Sequence, residues 1–290
     1  MSAADRPTPP ALPLSVWPTA QVVARMQRAG RYLPESLAHP ARMLPATARR
    51  AITTYTAPGD LVLDPMCGIG TTLVEAIHLD RQAIGVEYEP RWADLSRANI
   101  LTAEANGAPG DAHVITGDAR NLADLIDPDV HGRVSLVLTS PPYGSSVHGR
   151  AVNEPDRIAT SDDSYGDDPA NLAHVGTANL LDGFRQILSG CVPLLKPGGI
   201  VAVTARPWRE HGHLVDLPSA VLRLGADVGL HPYDRLVALL VGLHDDRLVP
   251  RCSFFALNQV RRARDRGNPL RVIAHEDILI LRKPAAGGAR

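Results

Sequence analysis

From Leu61 onward, short runs of Leu, Val and Ile alternate with longer stretches whose apolar residues recur at helical spacing. The runs predict strands over residues 61–64, 82–87, 113–116, 134–139, 199–204, 235–242 and 276–282. Between them the helical pattern predicts helices over 71–79, 90–105, 179–195 and 214–224. Strands that alternate with helices make a parallel sheet covered on both faces, and ligands of such sheets sit at the carboxyl ends of the strands. Seven strands suit an open Rossmann-like sheet, since an eightfold barrel needs eight repeats. The expectation is therefore an α/β fold built on a Rossmann-like seven-stranded sheet. No internal repeat is visible.

Outside this pattern lie three other kinds of segment. Residues 1–37 read as an N-terminal arm, Pro-rich at first and then a short amphipathic helix over 19–30. Residues 144–175 are rich in Gly, Ser, Asp and Asn, and a connection of that length is usually functional, so it is read as a mobile substrate loop. Residues 258–271 are irregular and arginine-rich, and residues 284–290 read as a flexible tail.

Composition changes this picture little. The 290 residues are 44% hydrophobic and 21% charged, ordinary for a globular protein. At 4%, aromatic content is low enough to make each loop Tyr or Trp informative. The longest apolar run, 236–243, is too short to span a bilayer, and no apolar segment follows a basic start at the N-terminus. A cytoplasmic protein without a membrane partner is expected. Cys67, Cys191 and Cys252 neither make a disulfide framework nor show paired metal spacing, so no metal site is expected.

Net charge is −1, but arginine is unevenly placed. Residues 21–50 hold six arginines against Glu35, and residues 247–271 hold seven against Asp265. Such segments either contact phosphate or form solvated faces, and charge alone does not choose.

Asp64-Pro65-Met66-Cys67-Gly68-Ile69-Gly70-Thr71-Thr72 joins the first strand to the first helix. Two glycines allow a tight turn and close ligand approach, and the helix N-terminus offers free N–H groups. A dinucleotide loop would need a third glycine where Leu73 stands, and Asp64 would repel a pyrophosphate. A carboxylate there suits a cationic ligand such as S-adenosylmethionine, which carries an ammonium and a sulfonium. Glu87 ends the second strand, where an acid commonly holds a ribose diol, and Asp118 follows the third, within reach of an adenine amino group. Alone, each acid is a solvated strand end or a helix cap; three after successive strands form a pattern. Candidate cofactor contacts are Asp64, Met66, Cys67, Gly68, Gly70, Thr71, Thr72, Glu87, Tyr88, Asp118 and Ala119. Cys67 is a packing residue of the loop with no base beside it in sequence.

Thr139-Ser140-Pro141-Pro142-Tyr143-Gly144 ends the fourth strand, beside the first in a doubly wound sheet and across the crevice from the cofactor loop. Nucleobase amino nitrogens are poor nucleophiles because their lone pair is delocalised into the ring. An acceptor pair that grips both N–H bonds can aim that lone pair, and the Ser140 hydroxyl with the Pro141 carbonyl can be that pair. Pro141 and Pro142 stiffen the turn and pre-organise the acceptors, and Tyr143 offers a face on which an extruded base can stack. The catalytic candidates are Ser140, Pro141, Pro142 and Tyr143. A merely rigid turn after a buried strand is the alternative.

These two segments resemble motifs I and IV of the S-adenosylmethionine-dependent amino-methyltransferases, with matching order across 61–283. The resemblance implies a seven-stranded sheet with a reversed last strand, residues 275–281 being similar to that closing strand. It also implies a methyltransferase domain over 38–283, within which residues 39–45 resemble the helix before the first strand that helps to cover the cofactor. In this family Ser-Pro-Pro-Tyr is typical of DNA cytosine-N4 enzymes, whereas Asp-Pro-Pro-Tyr leans toward adenine-N6 and tRNA guanine-N2. The chain is similar as well to the catalytic half of THUMP-linked tRNA guanine-N2 methyltransferases. It departs from them at Ser140 and leaves no room N-terminally for a THUMP domain. No separate recognition domain of the restriction-linked kind is apparent either.

The expected activity is methyl transfer from S-adenosylmethionine to cytosine N4 in DNA. An RNA amino-methyltransferase, such as a guanine-N2 enzyme, and a non-catalytic cofactor-binding protein stand as alternatives. A nucleic acid partner is expected, DNA favoured and RNA allowed, and a homodimer is left open. Cytosine C5 chemistry is disfavoured because it needs a cysteine after proline in the fourth-strand loop. His148, and His211 with His213, are read as loop residues outside the catalytic set.

Overall fold

Unbroken burial along Leu61–Asp64 (β1) and Val134–Thr139 (β4) marks the centre of a sheet covered on both faces. The computed structural model describes residues 12–142, 150–154, 157–161, 166, 168, 170–210, 213–251 and 254–285. The other main strands are Gln82–Glu87 (β2), Asp111–Thr116 (β3), Leu195–Ala205 (β5), His231–Leu239 (β6) and His275–Arg282 (β7). They lie in the order β3-β2-β1-β4-β5-β7-β6. Pairing is parallel except around β7, which runs antiparallel to β5 and β6. The α/β, Rossmann-like seven-stranded arrangement with a reversed last strand is therefore present. An eighth, two-residue strand, Val16–Trp17, extends it by pairing parallel with β6.

Side chains alternate across the sheet and feed two cores. Val62, Leu136, Ala202 and Ile280 face the layer of Pro45–Tyr55 (α1), Thr71–His78 (α2) and Pro90–Ala105 (α3). Leu63, Val137, Val201 and Leu281 face Thr177–Leu194 (α4) and Leu217–Asp227 (α5). The largest side chains fully buried there include Trp92 and Phe184. Full burial of each is worth about 2–3 kcal/mol, which fixes the helices to the sheet.

Several boundaries differ from expectation for physical reasons. The helix before β1 is α1, set one segment later than residues 39–45, and Pro45 at its first position needs no N–H partner. Only Ala24–Arg28 of the expected 19–30 helix forms. Strand β6 starts earlier and stops at Leu239, after which Val241–His244 and Arg247–Pro250 form a separate hairpin. The stretch expected to be irregular holds a helix, Phe254–Asp265 (α6). Residues 12–44 are tied down. Val237 N donates to Ser15 O at 2.8 Å, and the buried Arg28 Nη2 donates to Met43 O at 2.6 Å.

Two insertions rise from the carboxyl edge of the sheet. One, 140–176, follows β4; the other, 240–274, joins β6 to β7 and is closed at its neck by Leu240 N donating to Ala274 O at 2.8 Å. Strands Arg150–Glu154 and Arg157–Ser161 in the first pair with each other, and α6 in the second lies against Arg150–Glu154.

Candidate functional site

The ends of β1, β2, β3 and β4 open into one cavity of about 960 Å³, part of it open to solvent. Its lining includes Asp64, Met66, Cys67, Gly68, Thr71, Thr72, Glu87, Tyr88, Asp118, Ala119, Ser140, Pro141 and Pro142. The structure thus brings together all the sequence-predicted residues except two. Gly70 sits behind the wall, and Tyr143 lies outside the described residues, as does His148.

The loop after β1 is shaped by its glycines. Gly68 and Gly70 have φ of +53° and +79°, a region that side chains with a Cβ rarely adopt. A Cβ on Gly70 would stand 2.2 Å from Ser96 Oγ, so sterics as well as backbone conformation require glycine there. Cys67 N donates to Val86 O at 2.9 Å, which stitches the loop to β2. From α3, Asn99 Nδ2 donates to Ile69 O at 2.9 Å.

Burial holds two of the three acids up, and an arginine holds the third down. Asp64 is buried, and accepts from Met66 N at 3.1 Å and Thr72 Oγ1 at 2.6 Å. Burial outweighs those hydrogen bonds and pushes its carboxyl up to about 6. Glu87 accepts from Gly68 N at 2.8 Å and Glu89 N at 3.0 Å, and burial likewise pushes it up to about 7. Partial burial also pushes Asp118 up, but Arg120, 2.6 Å away, overcomes this and holds it below the usual carboxylate range. Two strained carboxylates and one already paired form an electrostatic sink for a cation. Thr71 Oγ1, buried in the same wall, has no hydrogen-bond partner among the described residues. The residues fit S-adenosylmethionine: the buried Asp64 and Glu87 carboxylates would hold its cationic and ribose parts, and the unused Thr71 hydroxyl lines the same cavity.

Sequence reasoning missed part of the wall. His39, Ala41, Arg42 and Met43 close it from the N-terminal side. The His39 ring meets Trp92 edge-on at 4.7 Å, and its Nε2 lies 3.1 Å from where a Cβ on Gly68 would stand. Burial holds its imidazole down at about 3, hence neutral. Residues 39–45 did carry a signal, their likeness to a cofactor-covering segment, though as a helix. On the other side Ala170, Asn171 and Leu172 form the wall. They are latched by Tyr88 Oη donating to Asp168 Oδ2 at 2.6 Å and Asn171 Nδ2 donating to Glu89 Oε1 at 2.7 Å. Nothing in the sequence signals these long-range pairs.

The thiol of Cys67 is pushed well above its ordinary range, by burial first and then by the charges of Glu87 and Asp64, so it is no nucleophile. Among the described residues no group of three His, Cys, Asp or Glu is placed to hold a metal ion, and no helix is long and apolar enough to cross a membrane.

Residues 10–98 match the family model described as DNA methylase. Over 110 residues the chain is 33% identical to a tRNA (guanine(10)-N2)-dimethyltransferase of Methanocaldococcus jannaschii, covering 38% of this chain and 31% of that one. Over 93 residues it is 33% identical to the type II methyltransferase M.BglI of Bacillus subtilis, covering 30% and 27%. The chain thus spans about a third of the length of the curated relatives it matches. Among solved structures, TrmN of Thermus thermophilus superposes with a TM-score of 0.53 at 17% identity, over 89% of this chain and 53% of that one. A methyltransferase of Pyrococcus furiosus gives 0.50 at 15%, over 92% and 96%, and both likenesses speak for the fold. The chain thus has the fold of S-adenosylmethionine-dependent methyltransferases, and over about a third of its length it is similar in sequence to a DNA methylase model, to tRNA guanine-N2 methyltransferases and to a DNA methyltransferase.

Proposed function

We propose that this protein methylates an exocyclic amino nitrogen of a nucleobase, namely cytosine N4 in DNA. One observation carries the proposal: Ser140-Pro141-Pro142 and the acid-lined loop share a single cavity at the carboxyl edge of the sheet. When bound, S-adenosylmethionine supplies an electrophilic methyl group. Asp64 and Glu87 hold its cationic and ribose parts on one side. On the other, the Ser140 hydroxyl and Pro141 carbonyl accept from the amino group and turn its lone pair toward the cofactor. Proximity and alignment suffice for such a transfer: the N–C bond forms as the S–C bond breaks, with S-adenosylhomocysteine as the leaving group. The methylated nitrogen, now acidic, gives one proton to water, so no strong base is needed. Tyr143 stacks on the extruded base, a contact worth about 1–3 kcal/mol.

Serine at 140 supports cytosine. A second reading, guanine N2 in RNA, is supported by the likeness to the tRNA (guanine(10)-N2)-dimethyltransferase of Methanocaldococcus jannaschii. Mass spectrometry of nucleosides from DNA and from total RNA, each incubated with enzyme and labelled cofactor, separates the two. Label in N4-methylcytosine supports the proposal, and label confined to RNA overturns its choice of polymer. Tyr143→Ala is expected to abolish turnover with cofactor affinity nearly unchanged. A wild type that binds cofactor and modifies no nucleic acid would instead be a binding protein.

A further inference from the structure

The cavity does not account for the basic second insertion. Residues 254–271 carry Arg261, Arg262, Arg264, Arg266 and Arg271 against Asp265, five positive charges to one negative, a net of +4. All five arginines are exposed. Among the described residues, Arg261 Nη1 donates to Asn258 Oδ1 at 3.4 Å and Arg264 Nη1 to Leu270 O at 3.1 Å, both neutral acceptors. Among the described residues none of the five forms an ion pair. Three of them fall within about one turn of α6 with Asp265 as the one acid of that helix, so their mutual repulsion favours an external anion.

Position makes this more than a solvated face. Leu239 pairs with His275 and Asp277 with Ala205, so the insertion leaves and re-enters the sheet at the carboxyl edge, beside the end of β5. Ser140 stands at that same edge, one strand over. The backbone of α6 then lies against Arg150–Glu154, the first described strand after Pro142. A dense positive charge is thereby fixed next to the segment that continues from the proposed acceptor pair.

We propose that α6 and the turn after it form a docking element for the phosphodiester backbone of the substrate, which holds the strand while its target base enters the cavity. This rests on the nucleic-acid reading above and adds where the polymer is gripped. Phosphate contacts position a nucleic acid without reading its sequence, and each arginine–phosphate contact releases a condensed counterion.

The test compares the wild type with the triple variant Arg261→Gln, Arg262→Gln, Arg264→Gln. Anisotropy titrations across a salt series use a mixed-sequence DNA duplex in one arm and total tRNA in the other, with S-adenosylhomocysteine present. The slope of log Kobs against log salt should shrink by about 0.9 for each lost contact on duplex, or about 0.7 on single strands. That is a drop of about 2–3 for the triple variant in the arm that contains the substrate. Cofactor affinity and thermal midpoint should stay at wild-type values, and the Arg→Lys triple should restore most of the slope. An unchanged slope in both arms, with methylation intact, overturns the docking element and leaves the reaction untouched. Failure of the wild type to bind or methylate either polymer overturns the nucleic-acid reading itself.

Discussion

Asp64→Asn should make the cofactor-free protein more stable while impairing cofactor binding. The Asp64 side chain is buried at the end of β1, and burial raises its carboxyl from 3.8 to about 6. The native carboxyl therefore keeps its proton to higher pH than the unfolded one, and stability present below about pH 4 is lost as pH rises through about 6. A displacement of that size corresponds to about 3 kcal/mol of destabilisation once the group is ionised. The amide can preserve both native hydrogen bonds: its oxygen accepts from Met66 N, and its NH2 donates to Thr72 Oγ1. Urea unfolding of both proteins without cofactor, from pH 4 to pH 8, should show equal stability at the acid end and a growing advantage of the variant above pH 6. Calorimetric titration at pH 8 should show its affinity for S-adenosylmethionine lowered at least about tenfold, roughly 1.4 kcal/mol, because the anion facing the cationic ligand is gone. In the wild type, affinity should climb between pH 5 and pH 8 as Asp64 and then Glu87, held at about 7, ionise. A variant that is less stable than wild type at pH 8, or a stability difference indifferent to pH, would refute the account of Asp64 as a carboxylate strained for a cation.

Gly70→Ala should destabilise by about 2–4 kcal/mol from its positive φ and the approach to Ser96 Oγ, with calorimetric melting as the measure. Combining it with Ser96→Ala should recover only the steric share. Glu75→Ala should cost about 3 kcal/mol in urea unfolding, since it strands the buried Tyr32 hydroxyl and the Arg31 guanidinium, both of which donate to Glu75 at 2.8 Å. Ser140→Ala should lower kcat about 100-fold, the loss of one acceptor, with KM for the cofactor unchanged in steady-state assays.

What the sequence disclosed follows from the range of the forces involved. Residues 61–64 and 82–87 are short apolar runs ended by an acid, so both their burial and their chemistry are local, and both strands appear where expected. Glycines 68 and 70 announced a tight loop for the same reason. Strand Val16–Trp17 was illegible because its partners, Val237 and Ala238, lie more than two hundred residues away. Helix α1 escaped notice because its buried face is mostly Ala and Thr, with Ile52 alone large, a weak apolar signal. In α6 the arginines hide the helical period, and good helix formers pass for a loop. Residues 39–45 were legible as a covering segment only by resemblance, and the particular contacts of His39 were not, since they are made with Trp92 and Gly68, distant in sequence.

The cavity's two flanking walls differ in the energy needed to move them. On the N-terminal side the covering segment is held by buried polar groups. Asn99 Oδ1 accepts from Leu33 N at 2.8 Å, Tyr32 donates to the fully buried Glu75, and Arg28 donates to Met43 O. Opening that side would strand buried donors and acceptors, at about 1–3 kcal/mol each. The partly buried Asn171–Glu89 bond apart, the 166–174 side is latched by Tyr88 to Asp168, Arg120 to Ala170 and His174 to Gly166, all at exposed positions where water replaces a lost partner. Breaking each of those costs about 1 kcal/mol or less. Motion that admits ligands is therefore cheaper at the 166–174 wall, the one that continues from the segment after Pro142. The wall carrying His39 is the costlier of the two to displace, and it packs directly on the glycine loop at Gly68.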